Sequence, residues 1–415
     1  MLGTRARRHL LWPCVAMVFI IRIALLLVIH HWSMASGREG FSPLFKSGDD
    51  GGFYYYSALD IADGSDVSVV NLYPRLLGYA MRVTGVTDIF PHKLVNCLIG
   101  CGSVLLALAV YRLLAESRSR RGRDPFDARA ATLVIVLVGL FPSEVMFTTV
   151  SLLRDAWIYV LHLLAVYFCL LWLRSRSVQG KLAIAPLLVA LLALLQGFRW
   201  YACMSVLIGI AIWAAAETLS CLRRRQASVQ PAVILVAVLS VVVWVAGSQD
   251  ISPGSERLQS LQEYRSGWET SDAGSNMRVD LTTTRGPILV PLYAYSFVSN
   301  VFGPLPFQVN SIQTLLVMLI ETPVLVMVAT LIWRKRRYLK RESMFLLCQA
   351  IAWFVLIAYF SDNLGTAARL RVIGWNCLFI VYAHLVSVTR PVRCRTAATP
   401  SAAAATAMGR GRGNG

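Results

Sequence analysis

Apolar residues in this chain fall into long runs, and short arginine-rich segments separate them. The runs cover 11–30, 93–115, 130–150, 156–173, 182–198, 201–221, 231–247, 311–333, 343–361 and 371–389. At 1.5 Å per residue, each reaches or nearly reaches across a hydrocarbon core of about 30 Å. Lipid offers the backbone no hydrogen bonds, so such runs are expected to be helices. The expected fold is all-α: a polytopic transmembrane helical bundle of about ten spans. One domain is expected over 1–390. The low-complexity stretch 391–415 is expected to be a disordered cytoplasmic tail.

Composition agrees with this, since 56% of residues are hydrophobic and only 15% charged. A soluble chain of this length needs more polar surface. The net charge of +18 would suit a nucleic-acid binder, but its placement argues for a membrane. Basic residues crowd the N-terminus (Arg5, Arg7, Arg8), alternate turns such as Arg334 to Arg337, and the tail, with few acids beside them. That asymmetry puts both termini and the basic turns in the cytoplasm. The expected partner is therefore the bilayer and not nucleic acid. The first run has no small-residue cleavage site and reads as a retained helix. The nine cysteines lie mostly in apolar runs, without CxxC spacing, so no disulfide framework is expected. Residues 286–303 are apolar, but a crossing there would place the basic 334–341 segment outside. A re-entrant or interfacial segment is expected instead.

Two long loops, 31–92 and 248–310, then fall on the non-cytoplasmic side. The first carries Asp49 and Asp50 between glycines, followed by Phe53, Tyr54, Tyr55 and Tyr56. Adjacent carboxylates repel unless a cation, a sugar hydroxyl or a proton lies between them. The pair also fits a solvated acidic turn, and the aromatics also fit an interfacial belt. Residues 71–84 carry Leu72, Leu76, Leu77, Tyr79, Ala80 and Val83 at helical spacing, too short to span and interrupted by Arg75 and Arg82. An amphipathic interfacial helix is expected there, ended by Gly85.

An acidic pair in the first outer loop, Asn71-Leu-Tyr-Pro74 and Gly85 follow one another in order. Lys93-Leu-Val-Asn96, Phe141-Pro-Ser-Glu144 and Leu153-Arg-Asp155 come next. In this the chain resembles the GT-C superfamily of polyprenyl-phosphate-dependent glycosyltransferases, in its protein-mannosyltransferase and aminoarabinose-transferase-like branch. The resemblance covers about 45–175. Segments 302–308 and 363–371 are similar to parts of bacterial polysaccharide-assembly proteins. It implies an enzyme of the bacterial inner membrane with its site on the periplasmic or outer face. Such an enzyme moves a sugar from a polyprenyl phosphate or diphosphate to an acceptor glycan or lipid. Either Asp49 or Asp50 would then be the general base, and basic residues would hold the leaving phosphate.

Candidates for that positive charge are Arg199, Arg369 and Arg371, with Lys93 and His92 behind them. Arg199 also reads as an interfacial anchor, and Arg369 and Arg371 as partners of Asp362. Tyr54, Tyr55, Arg154, Asp155 and, in the second long loop, Trp268 are candidate substrate contacts. For Arg154 and Asp155, structural pairing with each other or with neighbours is the favoured reading. No metal-ligand or nucleotide-binding spacing is present and no cofactor is called for, although Asp49 with Asp50 could hold a divalent metal. Arg22, Glu144, Glu217 and Glu321 lie inside spans, where a charge needs a partner. Arg22 is expected to pair with Glu144 or Glu321. Two other functions share this pattern. An O-antigen-type polymerase or ligase would rely on outer arginines. A lipid-linked oligosaccharide flippase or transporter would favour broken helices and midplane charges. The polar residues here concentrate at the outer face, and no internal repeat is evident.

Overall fold

In a computed structural model the described residues are 11–44, 50–116, 127–223, 230–248, 277, 279, 281 and 286–389. The tail, Asp49 and Trp268 lie outside them. Helix α1 spans Leu11–Ala35, α2 Asp50–Ala62, α3 Leu72–Thr84 and α4 Ile89–Glu116. Then come α5 at Ala128–Gly139 and α6 at Pro142–Val150, whose second half is a π turn. The rest are α7 (Asp155–Arg174), α8 (Val178–Phe198), α9 (Trp200–Arg223), α10 (Gln230–Ser248), α11 (Leu289–Phe302), α12 (Ile312–Arg334), α13 (Arg341–Phe360) and α14 (Leu364–Thr389). Among the described residues, eight helices are long and apolar enough to cross a membrane, or nine if α5 and α6 form one bent span. The described residues form a helical membrane bundle.

The run 130–150 was expected to be one continuous helix, and it is broken. Its halves meet at 54°. Pro142 has no N–H to continue the ladder and starts a new helix instead. The break leaves bare carbonyls behind it and bare amides ahead of it. Arg22 of α1, fully buried, donates from Nε to the Gly139 carbonyl at 2.9 Å and from Nη2 to Val138 at 3.3 Å. Glu321 of α12, also fully buried, accepts the Ser143 N–H at 2.6 Å and the Ser143 hydroxyl at 2.7 Å. A cation thus caps the carbonyl end and an anion caps the amide end, each matching the local helix dipole. Two ion pairs complete the layer. Arg22 lies 3.5 Å from Glu144, and Arg371 pairs with Glu321 while also donating to the Gly303 carbonyl at the end of α11. Of the two partners expected for Arg22, Glu144 is the one it meets.

Helix α14 is the most buried span and the spine of the bundle. Trp375 donates across to the Val301 carbonyl at 2.9 Å, and Trp353 of α13 donates to Leu370 at 2.7 Å. Helix α11 rests on α13 through Tyr293, Ser296 and Asn300, which donate to the Val355, Ala358 and Ser361 carbonyls. At 14 residues it spans about 21 Å, short of a crossing.

Helices α2 and α3 form a hairpin outside the spans. Asn71 caps α3 by accepting the Tyr73 N–H at 3.0 Å, and Gly85 closes it at φ 68. Gly78 permits close approach, because a Cβ there would lie 2.7 Å from the Ala58 carbonyl. Arg82 caps the end of α2 on the Ile61 and Ala62 carbonyls. The face that packs on α2 is Tyr73, Leu77 and Met81, while Leu76, Tyr79 and Val83 stay exposed.

Removing one partner of the Glu321–Arg371 pair should destabilise the bundle by about 3–5 kcal/mol. Denaturant titration of Glu321→Leu and Arg371→Leu in detergent should show this. The double variant should recover only part of the loss, since it leaves no lone buried charge but still strips the Ser143 N–H and the Gly303 carbonyl of their partners.

Candidate functional site

The turn between α6 and α7, the turn between α8 and α9, the start of α2 and the first turns of α14 meet at one end of the bundle. Each brings charge. Arg154 and Asp155 stand at the start of α7, where an acid is favoured by the dipole. Arg199 is the single residue between α8 and α9, held by its N–H on the Leu195 carbonyl at 2.8 Å. Asp50 opens α2, and Arg369 lies in the second turn of α14.

Four of these groups form one ion-pair network, and Arg154 stands beside it. Arg369 Nη1 donates to Asp50 Oδ2 at 2.9 Å, and its Nε lies 3.4 Å from Asp155 Oδ2. Asp155 Oδ1 also takes Arg199 Nη1 at 3.3 Å. Arg154 donates to the Phe198 carbonyl at 3.0 Å and stands 5.8 Å from the Tyr54 ring. Arg199 stands 5.3 Å from the ring of Tyr201. Tyr159, one turn below Asp155, donates to the Arg369 carbonyl at 2.5 Å and so fixes the backbone that carries the guanidinium.

Among the described residues three cations face two anions. Asp155 and Arg199 are buried, whereas the Asp50 side chain is 47% exposed. The network therefore has a closed floor and an open edge. Burial alone would raise the Asp50 carboxyl. The charge and hydrogen bond of Arg369, with Arg154 and Arg199 behind, outweigh it and hold the group below its ordinary value. Burial together with repulsion from Arg199 lowers Arg154. Burial raises the phenol of Tyr54.

Several candidates sit elsewhere. Arg371 turns away because two helical residues differ by about 200° around the axis, so it faces Glu321 on the other side of α14. Asp362 accepts the Val279 N–H at 3.2 Å, while Arg369 pairs with Asp50 and Asp155. Lys93 is buried and donates to the Gly40 carbonyl at 2.9 Å, and His92 Nε2 lies 2.9 Å from the Val86 carbonyl. Both tie down the first loop. Tyr55 donates to the Thr87 carbonyl at 2.7 Å, away from the cluster. Among the described residues no group of three metal-ligating side chains occurs.

Sequence reasoning did not single out Tyr159, Tyr201 or Asn96 as site residues. Asn96 accepts from Trp157 at 3.0 Å and donates to the Leu153 carbonyl at 2.6 Å, which braces the turn carrying Arg154. Its placement in an apolar run was the available signal. Comparison with protein-family models, curated proteins and solved structures finds no match to this chain.

Arg369→Ala should raise the Asp50 pKa from its lowered value, because burial then acts with less opposition. Carbon-13 titration of labelled aspartate, assigned with Asp50→Asn, measures this. In the wild type, the stability this contact contributes should be fully present above the ordinary aspartate range. It should be lost as pH falls through the lowered value.

Proposed function

We propose that the chain is a membrane glycosyltransferase that moves a sugar from a polyprenyl phosphate or diphosphate to an acceptor hydroxyl on the non-cytoplasmic face. The observation that carries this reading is the convergence of Asp50, Arg154, Asp155, Arg199 and Arg369 from separate turns at one end of the bundle. The opposite end holds the basic turns, where Arg174 meets Glu116 and Arg341 meets Glu217. By the positive-inside rule that end is cytoplasmic and the cluster is outside. In this reading α10 also crosses, which brings the nine spans to ten. The α2–α3 hairpin lies in the outer interface, with Leu76, Tyr79 and Val83 toward lipid.

Transfer needs a base for the acceptor and positive charge for the leaving phosphate. Asp50 accepts the acceptor's proton as the new C–O bond forms at the anomeric carbon. The old C–O bond breaks, and its electron pair leaves with the phosphate. A carboxylate already bound to Arg369 is a weak base. The donor phosphate supplies the remedy by drawing Arg369 to itself, which frees Asp50 and lets its pKa rise. Asp155 holds Arg199 in place during this exchange. The reading thus makes the base competent only once the donor is bound.

A second reading has its own support. The helix broken at Pro142, with Arg22, Glu144, Glu321 and Arg371 around it, is the architecture that transporters use. The flippase alternative therefore gains from the structure. Against it, Arg22 and Glu321 are occupied in capping the break.

In a sugar-transfer assay, Asp50→Asn should lower turnover by about 10²–10⁴-fold while donor binding persists. Arg369→Ala and Arg199→Ala should each weaken donor binding by about 2 kcal/mol. Full activity in Asp50→Asn with loss in the arginine variants would favour the arginine-centred polymerase. Lipid movement between leaflets without transfer would favour the flippase.

A further inference from the structure

At the basic end, far from the cluster, a cavity of about 220 Å³ opens among α7, α8, α9, α10 and α13. Cys169 and Leu173 of α7, Leu188 of α8, Ile210 of α9, Ala237 of α10 and Phe345 of α13 are among the residues that line it, and the whole lining is apolar. Two of its walls are peripheral helices. Helix α8 turns Leu187 and Val189 outward, and α10 turns Val233 and Val236 outward. The groove therefore lies at the periphery of the bundle.

Its rim is cationic. Leu173 directly precedes Arg174, and Phe345 lies one turn after Arg341. Lys181 stands over Trp172, another lining residue, with Nζ 5.0 Å from the ring centre. Arg341 stands 4.9 Å from the Trp213 ring, which itself packs edge-on against Phe345. Arg174 and Arg341 each have a carboxylate partner, Glu116 and Glu217. Arg176, Lys181 and Arg223 stand at the same end and form no ion pair among the described residues. A groove with a wholly apolar lining, under basic residues that form no ion pair among the described residues, matches an anionic lipid.

We propose that this groove is a binding site for an anionic phospholipid of the basic-side leaflet. A segment of one acyl chain lies between α8 and α10, and the headgroup sits against Lys181 and Arg176. The occupant is a bilayer lipid and not the sugar donor, whose phosphate belongs at the other end. The site would tie α8 and α10, the peripheral helices, to the core formed by α7, α9 and α13.

Native mass spectrometry tests this on the full chain, released from micelles with phosphatidylglycerol or phosphatidylcholine added. Wild type should retain one phosphatidylglycerol in preference to phosphatidylcholine. Lys181→Glu should lower that preference by at least fivefold, because one basic residue near a membrane surface contributes about that factor. Ala237→Trp, which fills the groove, should abolish retention of both. Thermal melts without added lipid confirm that each variant is folded. Lys181→Glu sits at the surface and serves if the tryptophan variant does not fold. Equal retention of the two lipids by wild type, or unchanged retention in folded Lys181→Glu, would overturn the proposal. So would displacement of phosphatidylglycerol by an equimolar polyprenyl phosphate, since the groove would then belong to the donor chain.

Discussion

A helix broken inside lipid leaves carbonyls and amides that only protein can satisfy. In this chain the break at Pro142 is satisfied by buried ions. Arg22 covers the carbonyl side and Glu321 the amide side. Each then needs a counter-ion, and Glu144 and Arg371 supply them. Most of the central helices are drawn into this arrangement: α1 through Arg22, α12 through Glu321 and α14 through Arg371. Serine 103 of α4 joins by donating to Glu144. The layer is closed mostly upon itself, which suits a structural role.

Helix α14 links that layer to the outer one. Arg371 faces the break, and Arg369, about 200° around the same helix, faces Asp50 and Asp155. The rotation that seats Arg371 on Glu321 therefore also aims Arg369 at the candidate site. Trp353 and Tyr159 hold the intervening backbone at Leu370 and Arg369. Among the described residues, this network differs from the one around Pro142 in being partly open to water and in carrying more positive than negative charge. Those two properties leave it able to exchange partners with a ligand.

Much of the fold could be read from hydropathy, because lipid permits few backbone solutions. The capped amphipathic helix after Asn71 was legible for a local reason, since its cap, its period and Gly85 lie within fifteen residues. The break at Pro142 was not read, because Phe141-Pro142 also fits a kinked but continuous span. Asp50, Arg199 and Arg369 stood out as charges at the outer ends of apolar runs. Which of them would meet depended on helix rotation. Spacing gave no reason to prefer Arg369 over Arg371, and only the packing of α14 separated them. Tyr159 was hidden because a tyrosine in an apolar helix normally signals core. Asp155 was noticed, but its place between two arginines is a property of three turns together.

On the proposed function, the charged cluster at the end opposite the basic turns receives the phosphate of a lipid-linked sugar. Photocrosslinking with a polyprenyl phosphate bearing a diazirine close to its phosphate tests this most directly. The account predicts adducts on peptides containing residues 50–54, 154–159, 199–201 and 369, competed away by unmodified polyprenyl phosphate. Adducts confined to the basic end, around Lys181 and Arg341, or spread evenly over lipid-facing surfaces, would contradict it.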